Sequence, residues 1–164
     1  PEAGHPAQRR TPIEAGAIRS QLGAVYDLLP TTLAVAGIDA PESATLDGID
    51  LREIFTPRPG SSGESEREFL MHFPHQHRSS YFTSFHQGSW KLIYHYRPGQ
   101  KQPWDRMELF DLAVDPSEAN NLAGKNPAKL EAMFGAMSAA LERSGAQFPL
   151  ADDKRSALKP YLTE

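Results

Sequence analysis

The feature that most constrains this chain is a two-residue alternation along Trp90–Tyr96. One set of alternating side chains is apolar and aromatic: Trp90, Leu92, Tyr94 and Tyr96. The other set is Lys91, Ile93 and His95. Side chains on a strand point alternately to the two faces of its sheet, so this pattern predicts a strand with one covered face. Gln87-Gly88 separates it from the β-rich segment Ser80–Phe85, which predicts a hairpin with a tight turn.

Two further segments predict strands on either side of this hairpin, at Phe69–Phe73 and Met107–Leu112. A final helix is predicted to begin at Asn126-Pro127, with Asn126 as N-cap, and to end at Gly145. Its apolar stripe has helical spacing and consists of Leu130, Met133, Phe134, Met137 and Leu141. These elements predict an antiparallel sheet with one helix packed on it.

An earlier helix is predicted over residues 27–38, with Asp27 as N-cap, Pro30 in the first turn and Gly37 just past the end. Leu29, Leu33 and Ala36 recur at helical spacing, so we expect a short and mostly buried helix. The whole pattern predicts an α+β fold: a small four-stranded antiparallel sheet, packed by a C-terminal helix and preceded by another helix.

The chain also divides by composition. Residues 1–20 are rich in Pro, Gly, Ala and Arg without a sustained period, and we interpret them as a lead-in or truncated segment. Residues 21–150 are the predicted subdomain, and residues 151–164 are interpreted as a tail. Because the chain begins at Pro1 and has no charged and apolar leader pattern, we expect that a larger N-terminal portion precedes it.

Composition excludes several classes of function. The net charge is −4 and the pI is about 5.9, which does not suit the many phosphate contacts of a nucleic-acid binder. No apolar run approaches the ~20 residues that span a membrane, so no membrane partner is predicted. The chain has no cysteine, which removes disulfides, thiolate zinc sites and cysteine nucleophiles but leaves the redox compartment undecided.

Three stretches, in order, resemble the C-terminal region of type I, formylglycine-dependent sulfatases. The first is Asp27–Ile38 followed by Leu46–Leu51, similar to the family's D-L-x-P-T-L-L-x-L-A-G and L-D-G-x-S-L. The second is Gly88–Ile93, similar to G-x-W-K-L-I. The third is Glu108–Ala123, similar to E-L-Y-D-L-x-x-D-P-x-E-x-x-N-L-A. A further segment, Leu70–His75, resembles the H-F-P-H segment of bacterial arylsulfatases and relatives of N-acetylgalactosamine-6-sulfatase.

The resemblance implies the C-terminal subdomain of an alkaline-phosphatase-like sulfatase fold, with an N-terminal catalytic domain of the same protein as its partner and sulfated carbohydrate as substrate. In the family, formylglycine arises from the Cys or Ser of C/S-x-P-x-R, and Ca²⁺ binds acidic residues upstream. Neither feature has a match here, so no catalytic residue and no metal ligand is predicted in this chain, and the chain alone is predicted to be inactive. The family also implies a periplasmic or extracellular location.

The candidate substrate-binding residues are His75, His77, Arg78 and Trp104. Imidazole and guanidinium groups donate hydrogen bonds to hydroxyl and sulfate oxygens, and a loop tryptophan can stack on a sugar. The alternative for the first three is a strand end with solvated polar groups. A zinc site built from His72, His75 and His77 is disfavoured because Pro74 bends the run and no carboxylate lies close in sequence.

Two other functions stay open at this point. The chain could be a non-catalytic module that binds a sulfated glycan or another anion through the His/Arg cluster. It could also be a purely structural domain, whose exposed sheet edge or face would favour association with another chain.

Overall fold

The structure is a computed structural model that describes residues 16, 18, 22–55, 67–75, 81–98 and 106–162. It divides into two compact units, residues 1–65 and 66–164. The first unit contains a 3-10 turn at Val25–Asp27, helix α1 at Leu28–Ala36 and the one-turn helix α2 at Arg52–Phe55. The second contains strands β1 (Glu68–Phe73), β2 (Phe82–Gln87), β3 (Trp90–His95) and β4 (Met107–Asp111), followed by helix α3 (Pro127–Arg143).

The four strands form one antiparallel sheet in the order β1-β2-β3-β4. Leu70, Phe85, Leu92 and Leu109 are paired in register and make one apolar row across all four strands. The α+β fold and the four-stranded antiparallel sheet predicted from the sequence are confirmed. The hairpin loop is Gly88-Ser89 rather than Gln87-Gly88, because Gln87 already pairs with Trp90. Gly88 has φ +58°, which a glycine adopts without strain.

Helix α3 covers the face of the sheet that carries this apolar row. Met133 and Met137 are fully buried and belong to the same core cluster as Phe85, Leu92 and Tyr94. The Asn126 side chain accepts a hydrogen bond from the Lys129 N–H at 3.3 Å, so the predicted N-cap is confirmed. The chain leaves the helix through Gly145, whose φ is +61°.

In the first unit the prediction of a mostly buried helix is wrong for the structure described. Thr31 is the buried residue of α1, whereas Leu28 and Leu29 are 61% and 55% exposed. Asp27 does not cap α1 with its side chain. Its carboxylate accepts hydrogen bonds from the Ala24 N–H (2.7 Å) and the Ile49 N–H (3.0 Å) instead.

Candidate functional site: an open cationic cleft

The predicted site residues are only partly covered by the described chain. His77, Arg78 and Trp104 lie outside the described residues. His75 lies two residues past the end of β1, where its side chain is exposed and its ring centroid is 4.2 Å from that of Phe73. The structure therefore places one of the four candidates and leaves the contacts of the other three as predictions.

His75 lines an open cleft of about 430 Å³ in the second unit. The rest of the wall comes from Pro74, Tyr81, Arg97, Pro149, Leu150, Ala151, Asp152 and Lys154. The cleft therefore lies between the end of β1, the start of β2, the residues that follow β3 and the segment that follows α3. Three of the lining side chains are basic or can become so (His75, Arg97 and Lys154), and one is acidic (Asp152).

Arg97 is the best-anchored polar group of the cleft. Its Nη1 donates to the Asp152 carboxylate and its Nη2 to the Leu150 carbonyl oxygen, both at 2.7 Å. The guanidinium carbon lies 5.5 Å from the centre of the Tyr81 ring, within the range of a cation–π contact. The Arg97 side chain is only 18% exposed, and its Nε is buried without a hydrogen-bond partner.

The segment after α3 presents Asp152 and Lys154 to this cleft on a hydrogen-bonded turn. Leu150 and Ala157 form an antiparallel bridge, and the Ala151 N–H donates to the Ser156 carbonyl at 2.8 Å. The Asp153 carboxylate accepts from the Ser156 hydroxyl and from the backbone N–H groups of Arg155 and Ser156, and these hydrogen bonds lower the Asp153 pKa. Asp153 thus organises the turn, while its neighbour Asp152 is left to face Arg97.

His72, the first histidine of the H-F-P-H segment, belongs to a different arrangement. Its Nε2 is 2.7 Å from the Gln147 carbonyl, which can only accept, so Nε2 carries the proton. In the neutral ring Nδ1 then accepts from the Thr83 hydroxyl (2.8 Å), which in turn accepts from the Tyr96 hydroxyl (2.7 Å). Burial raises the pKa of Tyr96 to about 12, so the phenol stays protonated in this chain of hydrogen bonds.

The opposite face of the sheet carries a second group of charged side chains. The Lys91 ammonium donates to both oxygens of Glu118, at 2.7 and 2.8 Å. His95 lies 2.7 Å from Glu108 on the same face. These pairs satisfy one another within the fold and do not line the cleft.

The cleft presents basic side chains, but the described chain does not offer the donor set of a sulfatase metal centre. Within the part of the chain that the structure describes, no three His, Asp or Glu side chains converge on a point where they could hold a metal ion. The sequence also supplies no cysteine and no S-x-P-x-R from which formylglycine could form. Over the same residues, no helix is long and apolar enough to cross a membrane.

Sequence reasoning missed Tyr81, Arg97, Asp152 and Lys154 as cleft residues. Arg97 and Asp152 are 55 residues apart, so no local pattern links them. One signal was present: Asp153 three residues before Ser156 is typical of a side chain that hydrogen-bonds its own turn. That pattern would have predicted an ordered turn in a segment interpreted as a tail.

Solved structures of similar fold come from sulfatases. A 2-O GAG sulfatase covers 79% of this chain at a TM-score of 0.53 and 23% identity, and the match spans 25% of that protein. A second structure, solved in complex with its substrate D-glucosamine-2-N,6-O-disulfate, covers 73% of this chain and 24% of its own, with a TM-score of 0.50 and 20% identity. At these identities the likeness defines the fold, which is that of a C-terminal sulfatase region.

The family follows from the sequence itself. The model of the family described as "N-sulphoglucosamine sulphohydrolase, C-terminal" matches residues 6–147. The chain belongs to this family. The resemblance to the C-terminal region of a sulfatase, first drawn from the three motifs, is thereby confirmed.

Curated relatives give the length of the proteins concerned. N-acetylglucosamine-6-O-sulfatase of Bacteroides thetaiotaomicron is 26% identical over 116 residues, which are 69% of this chain and 20% of that protein. Mouse steryl-sulfatase is 24% identical over 92% of this chain and 27% of its own. Pig N-acetylgalactosamine-6-sulfatase is 46% identical over 39 residues, which are 24% of this chain and 8% of that protein. The chain thus spans between a fifth and about a quarter of the first two relatives.

Proposed function

We propose that this chain is the C-terminal part of a hydrolase of sulfate esters that acts on sulfated carbohydrate. The observation that carries the proposal is the family match over residues 6–147, combined with an exposed histidine of the H-F-P-H segment at a cationic cleft. The chain's contribution would be substrate-pocket residues and packing, and the sulfated sugar would meet His75 together with His77, Arg78 and Trp104.

The nucleophile and the metal belong, in this proposal, to a catalytic portion outside these residues. Formylglycine would supply the attacking oxygen there, and Ca²⁺ would screen the sulfate charge. The described residues of this chain do not fit either group, so no step of the reaction is assigned to them. Their role is to orient the sugar and to donate hydrogen bonds to its sulfate and hydroxyl oxygens.

Packing against a catalytic domain is supported by the surface of the first unit. Helix α1 has the sequence Leu-Leu-Pro-Thr-Thr-Leu-Ala-Val-Ala and carries apolar residues around most of its circumference. A helix with that composition is normally buried, yet Leu28, Leu29 and Val35 are 61%, 55% and 50% exposed. About three-quarters or more of the length of the first two relatives lies outside the matched region, and we propose that an N-terminal catalytic domain of the same protein covers this surface.

The test uses the whole coding region that contains this chain, expressed as one protein. We expect it to encode a C/S-x-P-x-R motif and to hydrolyse a sulfated glucosamine. His75→Ala should raise KM by roughly ten-fold with a smaller change in kcat, because the lost contact is made in the ground state as well as in the transition state. Lys125→Ala, on the exposed β4–α3 connection, is the control that should leave both constants unchanged.

Two results would overturn the proposal. One is turnover of a chromogenic aryl sulfate by the purified 164-residue chain, which would place a nucleophile in it. The other is a whole coding region without the motif and without hydrolysis. In that case the second candidate stands: a non-catalytic module that binds a sulfated glycan or another anion, which the basic side chains of the cleft favour.

A further inference from the structure

The guanidinium of Arg97 is held in place but is not fully satisfied. Guanidinium carries five N–H donors, and here one donor of Nη1 and one of Nη2 have a partner while Nε has none. Each of the two terminal nitrogens, Nη1 and Nη2, carries a second N–H that can donate to a ligand in the cleft, whereas the buried Nε does not take part in such a contact. The cation–π contact with Tyr81 and the hydrogen bond from Nη2 to the Leu150 carbonyl hold the guanidinium at the cleft.

Asp152 is a weak partner for such a group. Its side chain is 89% exposed, whereas that of Arg97 is 18% exposed. Ion pairs with one partner in solvent contribute little, since the carboxylate gives up hydration and side-chain freedom to form them. Asp152 also sits beside Asp153, the residue that builds the turn, so Asp152 can leave Arg97 without loss of that turn.

We propose that Arg97 is the anion-binding residue of the cleft and that the Asp152 carboxylate occupies its guanidinium when no ligand is bound. A sulfate group of a carbohydrate would displace the Asp152 carboxylate and accept two parallel hydrogen bonds from the guanidinium. Arginine favours such bidentate contacts with oxyanions. Lys154, which lines the same cleft, adds positive charge around the bound sulfate, and the His75 ring adds a hydrogen-bond donor.

The inference rests on the proposed function only for the class of ligand, a sulfated sugar. It assigns binding to residues that the sequence motifs do not mark, and it requires no catalysis. No covalent bond changes in this step: one oxyanion replaces another on the same guanidinium. The exchange makes binding selective for strong anions, because a weak or neutral ligand does not displace the Asp152 carboxylate from Arg97.

The experiment measures binding to the 164-residue chain by isothermal titration calorimetry at low salt. The probes are D-glucosamine-2-N,6-O-disulfate, unsulfated D-glucosamine and D-glucuronate, so that sulfate and carboxylate are distinguished. We expect the disulfate to bind, and the Kd to rise about ten- to a hundred-fold in Arg97→Ala. Arg97→Lys should recover only part of this loss, because an ammonium lacks the planar fork.

Asp152→Asn is the decisive variant, because it removes the competing carboxylate and leaves Arg97 in place. We expect the Kd for the disulfate to fall by about two- to five-fold, whereas Arg97→Ala raises it. Arg143→Gln is the matched control: Arg143 also forms a 2.6 Å ion pair, with Glu68, at an exposed site that does not line the cleft. Its Kd should equal that of the unaltered chain, and circular dichroism should show the same helix content in all variants.

The outcomes separate this inference from the proposed function. Weaker or unchanged binding in Asp152→Asn, or disulfate binding that survives Arg97→Ala, would overturn it. Binding of glucuronate but not of the disulfate would overturn the sulfate assignment. None of these results touches hydrolysis by the whole protein or its response to His75→Ala, which test the proposed function separately.

Discussion

The described residues within 22–55 and within 67–162 obtain their structure from different interactions. In the first region the buried side chains are Asp27, Thr31 and Leu51, and its large apolar residues are mostly exposed. In the second, the sheet and α3 enclose a core that includes Phe85, Leu92, Tyr94, Met133 and Met137, each no more than 1% exposed. One region is held by polar groups and the other by apolar burial.

The polar contacts of the first region join α1 to the segment before α2. Asp27 accepts from the Ile49 N–H, and the Thr31 hydroxyl accepts from the Leu51 N–H at 3.0 Å. Gly48 allows this approach, since a Cβ there would overlap the Tyr26 carbonyl oxygen. These contacts therefore join the family-like D-L-x-P-T and L-D-G motifs. We call the arrangement of Asp27, Thr31, Gly48, Ile49 and Leu51 the clasp. The comparison teaches that a motif can specify a local shape without supplying a core.

The largest expected effect is in the second region. Phe85→Ala should lower the free energy of unfolding by about 3–5 kcal/mol, because it empties a fully buried site under α3. Leu29→Ala, at a 55% exposed position of α1, should change it by no more than about 0.5 kcal/mol. Urea denaturation followed by circular dichroism measures both. If both variants lost the same free energy of unfolding, apolar burial would not distinguish the two regions.

A smaller effect is expected at the clasp. Gly48→Ala should destabilise the first region by about 1–3 kcal/mol, because the added methyl overlaps the Tyr26 backbone. Faster amide hydrogen exchange at Ile49 and Leu51 is the readout. Gly124→Ala is the control, since a Cβ there meets nothing within 4 Å. Unchanged exchange in Gly48→Ala would mean that the clasp is not what orders this region.

The open edge of β4 offers a third test. The Asn121 side chain accepts from the Leu109 N–H (3.0 Å) and donates to the Met107 carbonyl (3.1 Å), so it pairs with the strand as a neighbouring backbone would. Asn121→Ala should cost about 1 kcal/mol in chemical denaturation. Asn120→Ala, whose side chain makes one exposed 3.4 Å contact with Asp115, should cost less. A reversed order would show that the edge contact does not stabilise the sheet.

The smallest effect concerns pH. Burial, reinforced by the charge of Lys91, lowers the pKa of His86 below its ordinary value. As the pH falls below about 6.5, the unfolded chain takes up a proton that the folded chain resists, so stability decreases toward the folded pKa. His86→Gln should flatten this part of the stability–pH curve, measured by thermal melts between pH 7 and 5. An identical slope in both proteins would contradict the assignment.

The sheet was predictable because its signals are local. Alternation along β3 gave the covered face, and Asn126-Pro127 gave the start of α3. The hairpin loop was displaced by one residue because pairing of Gln87 with Trp90 decides it, and that pairing depends on register rather than on turn residues alone. The exposure of α1 was not predictable, since periodicity identifies apolar side chains and not what they contact.

Only part of the candidate site was predictable. His75 was identified through the resemblance of its segment to H-F-P-H, and the structure places it at a cleft. The predicted roles of His77, Arg78 and Trp104 remain predictions. Arg97 and Asp152 come together only because the chain returns past the end of β3 after α3. Such a long-range contact leaves no trace in spacing or composition.

The hydrogen-bond direction from Tyr96 through Thr83 to His72 has a consequence for how this protein can evolve. Two histidines three positions apart in one motif are then under different constraints: His72 is hydrogen-bonded within the fold, and His75, under the proposed function, contacts the ligand. A lineage that changed its preferred sugar would be free to vary the second histidine while retaining the first. Retention of His72 in such a lineage would therefore record inheritance of architecture, not of specificity.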